Sequence, residues 1–180
     1  MKRLVLLMLV LVTTKSFSQT AADLSVSLPQ VTDLSGREVN PSKLGLGQVV
    51  NFSVPILNVN QKSMFPAGSC RLEIDLGSCV LNPAFDLEGS ALNNYFSWTT
   101  SRSAKGNLVI MGNLKAGLPA DFMGSALFQL KTQTPGTTII TMHWVYFSDK
   151  LKPSKAQSSS NFQITALVTT RVETQIVNRQ

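Results

Sequence analysis

Histidine, the commonest side chain for moving protons near neutral pH, occurs once in this 180-residue chain, as His143. A Ser/His/Asp relay needs that ring beside a serine and an acid, and no Gly-x-Ser-x-Gly elbow occurs to present the serine. A zinc site takes three or four ligands, and His143 has no histidine companion. Glu73 and Asp75 are two residues apart, so on a strand their carboxylates share a face opposite Leu72, Ile74 and Leu76. Such a pair could flank a glycosidic bond, with carboxyls about 5 to 9 Å apart, or hold calcium. The plainer reading is the solvated side of an amphipathic strand. Asp86 and Glu88 beside Gly89 could lend oxygens to calcium, but no Asp-x-Asp-x-Asp-Gly loop is present. Gly45 and Gly47 form a lone Gly-x-Gly with no helix behind it, which suits a turn and not a phosphate cradle. Asn51-Phe52-Ser53 matches a glycosylation sequon inside a strand pattern, a coincidental match. The sequence therefore offers no catalytic residue, no metal ligand set and no cofactor site.

Tyr95, Phe96 and Trp98 form the densest aromatic cluster, with Trp144 further along. Exposed rings stack on sugar faces, which makes Tyr95, Trp98 and Trp144 the candidates for glycan stacking. Alternation nevertheless puts Phe96 and Trp98 on one face and Tyr95 on the other, as expected of a core tryptophan plugging a sandwich. Cys70 and Cys79 present two alternatives. An oxidising compartment favours a bridge. If Arg71 to Leu76 is a strand and Gly77-Ser78 a tight turn, however, the cysteines lie on the order of 20 Å apart, and bridged Cα atoms lie within about 7 Å.

The elements that must position these residues are legible as short alternating runs. Gln48 to Ile56 places Val50, Phe52, Val54 and Ile56 on one face and Asn51 and Ser53 on the other. Similar runs carry Leu24, Val26 and Leu28; Leu72, Ile74 and Leu76; Cys79 to Leu81; Phe96 and Trp98; Leu108 to Met111; Ala126, Phe128 and Leu130; Thr137 to Phe147; and Phe162, Ile164, Ala166 and Val168. Gly-, Pro- and Asn-containing turns separate them, and no segment has a helical period. The pattern predicts an all-β fold, an Ig-like antiparallel β-sandwich of about eight or nine strands. The polar stretch Ser154 to Ser160 reads as a surface loop, and 169–180 as a strand extension or frayed tail.

Residues 1–18 read as a signal peptide, with basic Lys2 and Arg3, an apolar core from Leu4 to Val12, and small residues at Ser16 and Ser18. That core falls short of the roughly 20 residues a membrane span needs. The expected mature domain, 19–168, is secreted to the periplasm, cell surface or exterior, without a transmembrane segment. Losing Lys2, Arg3 and Lys15 lowers the formal charge from +6 to +3. The remaining basic residues are scattered apart from Lys150, Lys152 and Lys155, which argues against nucleic acid as a partner.

From Ala22 to about Ala166 the order of motifs resembles bacterial surface Ig-like repeats, the CARDB-type cell-adhesion domains and the related surface-repeat domain of unknown function in their Bacteroidetes-like form. The carrying pieces are Ala22-Asp23-Leu24-Ser25-Val26, Leu46 to Val54, Asn82-Pro83-Ala84-Phe85, Tyr95 to Trp98, and Leu118 to Ala126 leading into Phe128-Gln129-Leu130-Lys131. Where such repeats close on an acidic turn, Asp149 here is followed by a lysine-rich stretch. The resemblance implies a non-catalytic module in cell-surface adhesion or envelope assembly, with an envelope or extracellular protein, or a polysaccharide, as partner. A looser likeness to cohesin and cellulose-binding sandwiches rests on Gly47-Gln48-Val49-Val50, Asp75 and Ala126 to Ile140. It implies the alternative of a cohesin-like or carbohydrate-binding sandwich serving polysaccharide degradation.

Overall fold

In the computed structural model, which describes residues 24–59, 63–89, 92–148 and 159–168, every expected run of alternation forms a strand. The strands are β1 (Leu24–Val26), β2 (Gln30–Thr32), β3 (Leu44–Gly45), β4 (Val49–Asn58), β5 (Cys70–Asp75), β6 (Cys79–Leu81), β7 (Phe96–Arg102), β8 (Leu108–Leu114), β9 (Met123–Thr132), β10 (Gly136–Tyr146) and β11 (Ser159–Leu167). Two short strands, β2 and β3, exceed the expected eight or nine. With three and two residues they are too short to show a period. Leu28, expected on the first strand, lies beyond its end and is 69% exposed. The signal-peptide reading at 1–18, the tail at 169–180 and the cluster Lys150, Lys152 and Lys155 fall outside the described residues, as does most of the loop Ser154 to Ser160.

Two sheets face one another. One runs β1-β4-β9-β6, with β2 also on β4; the other runs β3-β11-β10-β5-β8-β7. The inward side chains of β4 (Val50, Phe52, Val54 and Ile56) and of β9 (Ala126, Phe128 and Leu130) meet those of β5, β8 and β10 in one shared core. Fully burying such a side chain contributes about 1.5 to 3 kcal/mol, so the alternation that shaped the strands also holds the layers together. Pairing is antiparallel throughout, except that Leu44 and Gly45 of β3 lie parallel to Ala166 and Leu167 of β11. That contact ties an early segment of the chain to its last described strand.

One turn and one buried amide carry the chain around this core. The Gly77-Ser78 turn crosses from β5 in one sheet to β6 in the other. Gly77 sits at φ +57, and an added Cβ would meet Thr138 Oγ1 and the Ile139 carbonyl, so glycine is required there. Asn58 is buried at the end of β4, where its Nδ2 donates to the carbonyls of Ser63 (3.1 Å) and Pro119 (2.8 Å). It thereby fastens two loops to the rim of the sandwich.

Candidate functional site

The outer face of the six-stranded sheet collects the titratable residues that the sequence singled out. Glu73 stands opposite His143 in the β5–β10 register, as alternation requires. The Glu73 carboxylate pairs with Arg71 on its own strand, and its Oε2 lies 3.1 Å from His143 Nε2. The Arg71 guanidinium also lies 5.9 Å from the centroid of the exposed Phe147 ring. Asp75 points to the same face but is engaged differently: its Oδ1 accepts from the Gly77 N–H and from Asn107 Nδ2, both at 2.9 Å. The pair expected as a simple solvated side is thus a cross-strand network around Glu73 and a turn clamp at Asp75. Asp86 likewise serves a turn, its Oδ1 accepting the Glu88 N–H. Among the described residues no group of three His, Cys, Asp or Glu is placed to hold a metal ion.

Two of the three aromatic candidates lie inside. Trp98 and Trp144 are each 5% exposed. Trp98 stands edge-on to Phe128 (5.1 Å between centroids) and tilted against Phe96 (5.2 Å), and Trp144 lies 6.2 Å from Phe96. The six-membered ring of Trp98 covers its cross-strand neighbour Gly112, where a Cβ would clash with Cζ3 of the ring. Neither indole opens a face to solvent, which removes Trp98 and Trp144 as glycan platforms. Their Nε1 groups are buried without an acceptor, a cost of about 1 to 3 kcal/mol each. Burying about 150 to 250 Å² of ring at about 25 cal/mol per Å² outweighs that cost. Tyr95 is half-buried, stands edge-on to Phe122 at 4.8 Å and, like Phe122, packs against the core.

Cys70 and Cys79 are separate, buried thiols, so the bridge weighed from the sequence is not present. The reason is topological: Cys70 opens β5 in one sheet, and Cys79 opens β6 in the other after the Gly77-Ser78 crossing. Burial pushes their thiols up to about 12 and about 11. Both therefore behave as small apolar core residues.

The sequence reading passed over the rim. Among the described residues β7 is the last strand of its sheet, with β8 as its one sheet neighbour. The Lys115 N–H donates to the Tyr95 carbonyl and the Ser103 N–H to the Asn107 carbonyl, which fixes Tyr95, Ser97, Thr99, Ser101 and Ser103 as the residues bonded to β8. The alternate residues Trp98, Thr100 and Arg102 must then turn their N–H and C=O groups away from the sheet. The Phe96 N–H is already spent on the Leu92 carbonyl at 2.9 Å. The opposite rim is closed differently, because β3 and the 3-10 turn Pro41–Lys43 lie along β11.

Two clefts open beside β7, the smaller of which also takes in Cys79 and Val80 of β6 in the facing sheet. One, of about 350 Å³, is lined by Phe96, Trp98, Ser97, Thr99, Glu88, Asn93 and Lys115. The other, of about 200 Å³, lies toward the β7–β8 turn and takes in Arg102, Lys105, Gly106, Ser78, Val80 and Thr134. They exist because the inward row of β7 runs out of cover: Phe96 and Trp98 are buried, whereas Thr100 and Arg102 are exposed. The signal for this was in the sequence, where apolar alternation stops after Trp98 while the strand continues. The Arg102 guanidinium is held over the turn by its bond to the Gly106 carbonyl at 2.8 Å.

No family model and no curated protein matches the chain. Among solved structures it is similar to the C-terminal domain of the AgI/II polypeptide BspA of Streptococcus agalactiae, at 13% identity and a TM-score of 0.41 over 81% of this chain and 49% of that one. It is also similar to a chain of a type I cohesin–dockerin complex from Clostridium thermocellum, at 15% identity and a TM-score of 0.40 over 81% and 97% of the two chains. A third likeness, at 12% identity and a TM-score of 0.38 over 85% and 93%, is to AvmM, which catalyses macrocyclization in alchivemycin A biosynthesis. The chain spans about half the length of the BspA chains that it matches.

Proposed function

We propose that this chain is a secreted, non-catalytic Ig-like module that works at the cell surface or in envelope assembly by gripping an extended segment of a partner protein. The observation that supports the reading is the outward row of backbone donors and acceptors at Trp98, Thr100 and Arg102, on a seven-residue rim strand. Natural sheets usually blunt such rims with proline, lysine, bulges or a covering loop, because an open rim recruits another strand. β7 contains none of the first two, and its sequence of serine, threonine and aromatic residues favours extended pairing. The resemblance to CARDB-type adhesion domains is in keeping with this role.

Immobilised protein exposed to envelope and culture-supernatant fractions is expected to retain a defined protein in a one-to-one complex that reforms from purified components. Failure of any purified pair to reassociate would remove the interaction reading. Saturable turnover of a substrate by the pure protein would remove its non-catalytic half.

A further inference from the structure

We infer that the strand accepted at β7 is acidic: an extended segment carrying a carboxylate and an apolar side chain four residues apart. The inference rests on the interaction reading above and adds the chemistry of the partner. A strand laid along β7 can take the outward N–H and C=O groups of Trp98, Thr100 and Arg102 in one ladder. Its inward side chains, every second residue, then hang over the gap between the sheets. The two clefts lie beside β7, one at Phe96 and Trp98 and the other at Arg102 and Lys105. Trp98 and Arg102 are four residues apart, about 13 Å along a strand. Side chains with that even separation lie on one face, so a single partner strand can fill both clefts.

The charges select what fills each. The cleft at the turn holds Arg102 and Lys105 and no carboxylate, and so takes an acidic side chain. The larger cleft is lined by Phe96 and Trp98 and carries one charge of each sign, Glu88 and Lys115, so it has no net charge to select an acidic or basic group. It takes an apolar side chain. Main-chain bonds would give the grip and the two clefts the selectivity, the usual division in strand addition.

The probe is a synthetic peptide of the length of β7, alternating threonine with its inward residues and carrying a glutamate four residues from a leucine. It is made in both chain orders and, for comparison, with lysine in place of glutamate. By calorimetry and tryptophan fluorescence, one order of the glutamate peptide is expected to bind, and to weaken as salt is raised. The lysine peptide should bind about tenfold more weakly or not at all. Thr100→Pro removes an N–H that points away from β8, so the fold should persist by circular dichroism while binding falls by about tenfold or more. The double variant Arg102→Glu with Lys105→Glu should reverse the preference toward the lysine peptide. A glutamate peptide N-methylated at its pairing positions should fail to bind the unaltered protein, a control that needs no variant to fold.

Equal binding of glutamate and lysine peptides would overturn the acidic assignment, and so would binding that survives both Thr100→Pro and N-methylation. A dimer in sedimentation that Thr100→Pro dissolves would place a second copy on β7 and also overturn it. If neither peptide binds while a purified partner still does, the acidic assignment fails and the interaction reading stands.

Discussion

Gly112 and Trp98 show how a single residue choice can carry a layer of this core. The indole needs the space that only glycine leaves on the neighbouring strand, so the two positions are coupled. Gly112→Ala should cost about 1 to 3 kcal/mol through overpacking, and Trp98→Ala about 3 to 5 kcal/mol through the cavity it leaves. In urea unfolding the double variant should lose less than the sum of the two, whereas strict additivity would show that the ring does not rest on Gly112. The cysteines supply a second test at this scale. Their thiols hold protons more tightly folded than unfolded, so their contribution is intact below the ordinary thiol value near 9 and is lost as pH rises toward 11 and 12. Across that interval the parent should lose more stability than a Cys70→Val, Cys79→Val variant, and an equal loss would contradict the burial of the thiols. Native protein at pH 8 should likewise leave a thiol reagent unconsumed until denaturant is added.

At the scale of the element, legibility followed length and burial. β4 and β10 could be read directly, because ten and eleven residues of alternation leave little ambiguity of face. β2 and β3 could not, because their pairing partners on β4 and β11 define them and not their own side chains. The same limit hid the rim site. Nothing in the local sequence of β7 states that it ends a sheet, since that depends on β5 sitting between β8 and β10, an arrangement of distant segments. What was legible was the fading of apolar alternation after Trp98. Trp98 and Trp144 failed as platforms for a related reason: spacing fixes which residues share a face, and the opposing sheet decides which face is covered. Asn58, unremarked in the sequence, is an element terminus of another kind. Asn58→Ala would remove the buried amide that donates to the Pro119 and Ser63 carbonyls and should cost about 1 to 3 kcal/mol, read as a lowered urea midpoint. An unchanged midpoint would mean that these loops are held by other contacts.

On the scale of the whole molecule, both sheets draw on one core, reaching from Leu24 to Ile164. Unfolding should therefore be a single transition, with tryptophan fluorescence and far-UV circular dichroism coinciding; separated transitions would show that the layers melt independently. No helix among the described residues is long and apolar enough to cross a membrane.

The parallel contact of β3 with β11 has a consequence in time. A ribosome delivers Leu44 and Gly45 long before Ala166 and Leu167, so the early hook has nothing to catch until more than a hundred further residues have been made. Until then β10 presents a bare flank where β11 will lie. The nascent polypeptide must be shielded through that interval, because the same kind of opening that can recruit a partner in the finished molecule could recruit a neighbouring unfinished one.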